Sequence, residues 1–301
     1  MEYIVAQYRI RTVGRHSDLA ACGIRGFAPF VVESASEEAA AMELHSECQI
    51  DRTAFGELTE LSSFGFEADI AQCTLYRFEG GYLFEMVKPN ESYIFIKRDN
   101  STIVESNYGL YDVVDVPLLR FGLWMMFGLC TVPLGAIAIH SSVLVKSDRA
   151  VLCLGESGTG KSTHTRLWRE NIDGTSLLND DSPIIRLVDG VPTAFGSPWS
   201  GKTPCYRNLS YPIAGFIRLS QAPHNKIYRL PVLQAIGALL PSCPPAFAHD
   251  EQLQDALCDT LSDMIASVPV FHLECLPNAA AAELSYNTIF GAQWRLKEEI
   301  M

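Results

Sequence analysis

Apolar and polar positions change rhythm near residue 112. Before it, residues 2–10 alternate weakly and predict a strand, and residues 36–50 carry a run of alanine, glutamate and methionine that predicts a short helix. Residues 71–78, 82–88, 93–97 and 102–105 then predict strands, parted by Gly80-Gly81, Pro89-Asn90 and Asp99-Asn100. Closely spaced strands joined by two-residue turns imply an antiparallel sheet. Residues 1–112 are therefore expected to form a small α+β domain, with no catalytic constellation of their own.

After residue 112 the segments lengthen. Residues 115–129 predict a helix, and residues 136–140 and 142–146 predict strands. Residues 150–154, Ala-Val-Leu-Cys-Leu, form an uninterrupted apolar run, as a strand buried on both faces requires. Residues 176–179 predict a short strand, and 184–188 and 191–194 a hairpin around Asp189-Gly190. Strands follow at 214–219 and 270–275, with helices at 230–240, 250–268 and 278–294. This mixed α/β pattern over residues 113–301 lacks the regular βαβ alternation of a doubly wound sheet. Residues 121–139 hold no charged side chain and are long enough to cross a bilayer. Gly122, Gly128, Pro133 and Gly135 interrupt them, so a buried helix and a break are expected in place of a span.

Chemistry concentrates just after the apolar run. Gly155, Glu156, Ser157, Gly158, Thr159, Gly160, Lys161 and Ser162 match G-x-x-x-x-G-K-[ST], a phosphate-binding loop, and Thr163 follows. Its context is the one the motif needs: strand, glycine loop, helix. The glycines allow main-chain N–H groups to turn toward an anion, and the helix start adds its positive dipole end. Lys161 would reach the terminal phosphates and Ser162 would hold Mg²⁺. The predicted strand 176–179 runs into Asp180 and Asp181, whose carboxylates suit metal binding or proton acceptance. Spacing leaves open which takes which role.

The bulk composition narrows the partners. A formal charge of −12 with no Lys/Arg cluster argues against a nucleic-acid or anionic membrane surface. The nine cysteines contain no C-x-x-C, which gives no support to a zinc site or redox pair and fits a reducing cytoplasm. His224, His249 and His272 have no metal-ligand spacing.

Taken in order, residues 139–144 (Ile-His-Ser-Ser-Val-Leu), the loop 155–163, Asn179-Asp180-Asp181 and residues 196–202 (Gly-Ser-Pro-Trp-Ser-Gly-Lys) resemble the HPr kinase/phosphorylase-like kinases. These share a P-loop core with phosphoenolpyruvate carboxykinases. The resemblance covers about residues 115 to 290 and implies an HPr kinase/carboxykinase-like P-loop domain. It implies that ATP or another phosphate donor and Mg²⁺ serve transfer to a hydroxyl of a small molecule, peptide or small protein. By the same resemblance Asp180 takes the acceptor's proton, Asp181 joins Ser162 at Mg²⁺, His140 sits near the transferred phosphate, and homo-oligomers are expected. Lys202 is a candidate to neutralise the departing phosphate, and Trp199 either flanks the site or packs. Arg207, Arg218 and Arg229 are weaker candidates for an acidic substrate. No acidic residue occurs at 195–202, unlike the family's further signature, which argues against HPr itself as substrate. Carboxykinase activity is not expected, since that enzyme's arginine and metal-ligand set has no counterpart. The competing expectation is a nucleotide-regulated module that binds peptide or protein without phosphotransfer.

Overall fold

The computed structural model describes residues 1–33, 38–66, 71–110, 115–156, 158–201 and 203–291. It is a mixed α/β protein with two mixed sheets, one of them curled into a half-barrel. The chain divides into two compact units, residues 1–134 with 245–255, and residues 135–244 with those from 256 on.

The first unit holds β1 (Glu2–Val5), β2 (Tyr8–Val13), β3 (Met42–His45), β4 (Thr59–Phe66), β5 (Ala71–Phe78), β6 (Gly81–Lys88), β7 (Glu91–Arg98) and β8 (Ile103–Ser106). Their order is β1-β2-β3-β8-β7-β6-β5-β4. β2, β3 and β8 pair in parallel and the other pairs are antiparallel, so the expected antiparallel sheet is in fact mixed. Two local readings account for the difference. The single strand expected over 2–10 is a hairpin, turned at Ala6 and Gln7 with φ of 51° and 66°. The helix expected over 36–50 contains β3 instead, while its residues 36 and 37 lie outside the described part. In β3, Met42 and Leu44 are buried, and Glu43 bonds Arg11 across the sheet at 3.0 Å. Glu43, expected on a helix, is a cross-strand partner.

α1 (Val116–Thr131) starts where the Asp115 carboxylate accepts the Leu118 N–H at 3.2 Å. The stretch 116–134 is long and apolar enough to cross a membrane, and 67% of an 18-residue window of it is buried. Gly122 permits this packing, because a Cβ there would lie 2.5 Å from the Phe95 ring.

The second unit contains β9 (Ala136–Ala138), β10 (Ser141–Lys146), β11 (Arg149–Leu154), α2 (Lys161–Asn171), β12 (Ser176–Asp181), β13 (Ile184–Val188), β14 (Val191–Phe195), β15 (Ser210–Gln221), β16 (Lys226–Arg229), α3 (Val232–Leu239), β17 (Val270–Cys275) and α5 (Ala279–Phe290). α4 (Glu251–Ile265) runs from one unit into the other. The order is β12-β10-β11-β15-β14-β13-β9, with β17 also on β15 and β16 on β17. The long strand β15 makes this branching possible. Its first residues pair with β14, and its remainder lies parallel to both β11 and β17. α2 and α5 cover one face over a core that includes Leu144, Val151, Trp168, Ile217 and Leu273. The buried Trp168 indole N–H donates to Ser285 Oγ at 2.8 Å, which joins the two helices. This packing holds the start of α2 at the carboxyl end of β11.

Candidate functional site

The loop between β11 and α2 has a backbone that only glycines adopt easily. Gly155, Gly158 and Gly160 have φ of 148°, 85° and 102°. A Cβ on Gly155 would also come within 2.5 Å of Thr159 Oγ1. Gly160 is the N-cap of α2 and places no side chain over the first N–H groups. Those donors therefore remain available to an anion, at the positive end of the helix. The Lys161 ammonium folds back and donates to Gly155 O at 2.5 Å and Glu156 O at 3.2 Å. Burial lowers its pKa, opposed by the charges of Asp181 and Asp180. The Thr159 hydroxyl donates to Glu156 O at 2.8 Å, which closes the turn. Ser162 is exposed and Thr163 half-buried at the helix start, and Ser157 lies outside the described residues.

The acid pair lies two strands away, because β10 separates β11 from β12. Ser142 faces Asp180 in register and Ser141 faces Asp181. Ser142 Oγ donates to Asp180 Oδ1 at 2.5 Å, and both residues are buried. His140 Nδ1 lies 3.2 Å from Asp181 Oδ1, and Ser182 Oγ donates to the other oxygen at 3.1 Å. Asp181 itself has φ of 150°, a left-handed conformation that costs a non-glycine residue about 1–3 kcal/mol. Its surroundings hold it there. Asp181 forms a β-bridge with Ser200, and the Gly201 N–H donates to Asp180 O at 2.6 Å. Fully buried Asn179 donates to Trp199 O at 2.9 Å and accepts the Ser182 N–H at 3.0 Å. These bonds staple the segment 196–201 to the acid pair. Trp199 is 2% exposed and belongs to this packing. Lys202 lies outside the described residues.

Among the three arginines, Arg218 stands at the loop. It pairs with Leu154, the last residue of β11, and its guanidinium is 3.5 Å from the Glu156 carboxylate. Its charge helps to lower the Lys161 pKa. Arg207 and Arg229 are exposed. His224 pairs with Glu274 at 2.8 Å, and His272 bonds Ser220 at 2.8 Å and stacks on Tyr228. Among the described residues no group of three or more His, Cys, Asp or Glu converges as if on a metal ion.

In the sequence Asn179, Ser197 and Gly201 stand only within the runs 179–181 and 196–202, with no role of their own. Their one sequence signal was a run of small and polar residues beside strands that are otherwise apolar. Gly201 must be small, since a Cβ there would lie 3.0 Å from Asp180 O and 3.2 Å from Asp181 Cβ.

No family model matches the chain, and no curated protein matches it. Among solved structures, the Hpr(Ser) kinase/phosphatase from Coxiella burnetii is 14% identical with a TM-score of 0.30, covering 53% of this chain and 97% of its own.

Proposed function

We propose that the protein is a nucleoside-triphosphate- and Mg²⁺-dependent kinase that phosphorylates a hydroxyl, serine-like, on a small molecule, peptide or small protein. The observation that carries this reading is one of placement. An uncapped helix start with Lys161 follows β11, and a buried carboxylate held by a serine, Asp180, lies on β12 with only β10 between them, so that the charges of Asp181 and Asp180 oppose the effect of burial on the lysine's pKa. The loop N–H groups would cradle the phosphates, and Lys161 would exchange its main-chain carbonyl partners for phosphate oxygens. Asp180, oriented by Ser142, would accept the acceptor's proton as that oxygen bonds the γ-phosphorus. The bond to the bridging oxygen then breaks, and the diphosphate leaves.

The Ser162 hydroxyl and the Asp181 carboxylate would hold Mg²⁺, whose chemistry is to neutralise charge on the β- and γ-oxygens. A hydroxyl and one carboxylate, completed by substrate phosphates, suit a hard cation of this kind. His140 keeps Asp181 oriented from the solvent side. Lys202 would neutralise phosphate charge as the γ-phosphate leaves, and a reducing cytoplasm is the setting proposed for the enzyme.

Asp180→Asn separates binding from chemistry. It should keep nucleotide affinity within a few-fold and slow transfer by about 10²- to 10⁴-fold. Transfer at the wild-type rate would remove Asp180 from the mechanism. Tight nucleotide binding with no acceptor phosphorylated by the wild type would favour a nucleotide-regulated binding module.

A further inference from the structure

One margin of the second unit combines positive charge with exposed apolar surface. Residues 190–249 contain no Asp or Glu, in a chain with 35 acidic residues and a net charge of −12. β16 forms the margin. Among the described strands it pairs only with β17, and Lys226, Tyr228 and Arg229 are exposed. The Leu230 N–H donates to Val270 O at 2.8 Å, and Tyr228 and Lys226, in step with it, turn their main-chain groups toward β17 as well. Ile227, between them, turns its N–H and C=O toward the outer edge. Just beyond β16, α3 begins with Val232 and Leu233, which are 68% and 84% exposed. No other large apolar side chain among the described residues is as exposed as these two.

We propose that this margin docks an extended, acidic peptide segment of another protein, which adds to β16 as a further strand and seats an apolar side chain on Val232 and Leu233. The inference does not depend on phosphotransfer. An open strand edge offers main-chain hydrogen bonds to an extended chain, and the side chains beside it choose the sequence. Here the choice falls on carboxylates. Lys226 stands on the edge strand, and the segment from Gln221 to His249 supplies no acid to answer it. Glu274 faces Lys226 in register on β17 and is bonded to His224 at 2.8 Å. A second copy of this chain is a poorer occupant, because pairing β16 with itself would set one basic strand against another.

The surface is held in shape before a partner arrives. Ile227 packs on the core beneath the sheet. Tyr228 stacks flat on His272 with ring centroids 5.4 Å apart, and Lys226 Nζ lies 5.3 Å from the Tyr228 ring. The Asn225 side-chain oxygen accepts the Leu276 N–H at 2.8 Å and fixes the turn into β16. Arg218 donates to Ala238 O at 3.3 Å and anchors the far end of α3. A strand edge fixed in this way limits the ordering cost of docking.

The test is fluorescence anisotropy of the whole protein with three labelled dodecapeptides. The first alternates Glu with Leu and Val, the second has Lys in place of every Glu, and the third is the acidic peptide N-methylated along its length. The acidic peptide should bind saturably, and the other two at least about tenfold more weakly. Leu233→Asp and Lys226→Glu change exposed side chains, and each should weaken the acidic peptide about fivefold or more at an unchanged thermal midpoint. An acidic peptide that fails to bind, or binds no better than the lysine peptide, would overturn the proposal. Binding that neither variant weakens would overturn it too. Sedimentation velocity supplies a further check: a dimer that Leu233→Asp dissociates would give the surface to a second copy and end the proposal. Docking by a protein that transfers no phosphate would support this inference while the phosphotransfer reading fell.

Discussion

Glu2 in the first unit and Lys161 in the second are held in opposite ways. In the first, charge is answered by charge. Glu2 sits between Arg9 and Arg11, Arg11 also reaches Glu43, and Arg77 is paired with Asp99 at 2.7 Å. Burial pushes the Glu2 carboxyl up, and hydrogen bonds from Arg11 and Arg9 overcome this and hold it below its usual range. In the second unit, Arg218 faces Glu156 and His140 faces Asp181, but Lys161 and Asp180 are held by neutral groups. Lys161 rests on two main-chain carbonyls, and Asp180 accepts from a serine hydroxyl. A charge locked to its opposite is a fastener, because exchanging the partner for a ligand gains little. A charge parked on neutral dipoles can trade them for a phosphate or a metal with a net gain. On the proposed reading, Glu2 belongs to the scaffold and Lys161 and Asp180 to the site.

Three changes would break or sharpen that contrast. The largest effect is expected from Lys161→Ala, which should cut transfer by about 10²-fold or more and leave the thermal midpoint near that of the wild type. A steady-state assay beside a melting curve checks both halves.

The next concerns the interior of the second unit. Burial lowers the His164 pKa to about 4, and its Nε2, at 3.1 Å, shares the Trp168 indole N–H with Ser285 Oγ, a contact that a proton there would break. The unfolded histidine titrates near 6.5, so as pH falls below that value the unfolded chain gains the proton first. Stability should therefore fall from about pH 6.5 to about pH 4, by about 3 kcal/mol in all. In His164→Gln this part of the pH dependence should vanish, which denaturant melts at pH 7, 5.5 and 4.5 would reveal.

The smallest effect is expected from Glu2→Gln, which removes the charge between Arg9 and Arg11. It should lower the thermal midpoint by a few degrees, roughly what a loss of about 1 kcal/mol produces, and leave transfer untouched. A loss of transfer at an unchanged midpoint would erase the division between fastener and site.

Local chemistry decided what could be read from the sequence. The loop at 155–162, the hairpin at Asp189-Gly190 and the strand Val270–Cys275 each carry their signal within a few residues, and all three stand where they were expected. β4 escaped because Ser62 and Ser63 dilute its apolar pattern at the edge of the sheet. Only the apolar middle of β15 was legible. Its ends, from Ser210 and at Ser220-Gln221, are polar because they lie where the sheet branches and terminates. The site followed the same rule. Lys161, Asp180 and Asp181 belong to recognisable patterns, whereas the bonds made by Asn179, Ser197 and Gly201 are tertiary and leave no trace in spacing.

The most direct measurement of the central claim is ³¹P NMR of the purified protein with MgATP and a panel of hydroxyl acceptors, free serine and short serine peptides among them. The account predicts a new phosphoester resonance with matching growth of ADP, absent in Lys161→Ala and strongly slowed in Asp180→Asn. ATP that binds saturably yet stays intact with every acceptor would contradict it.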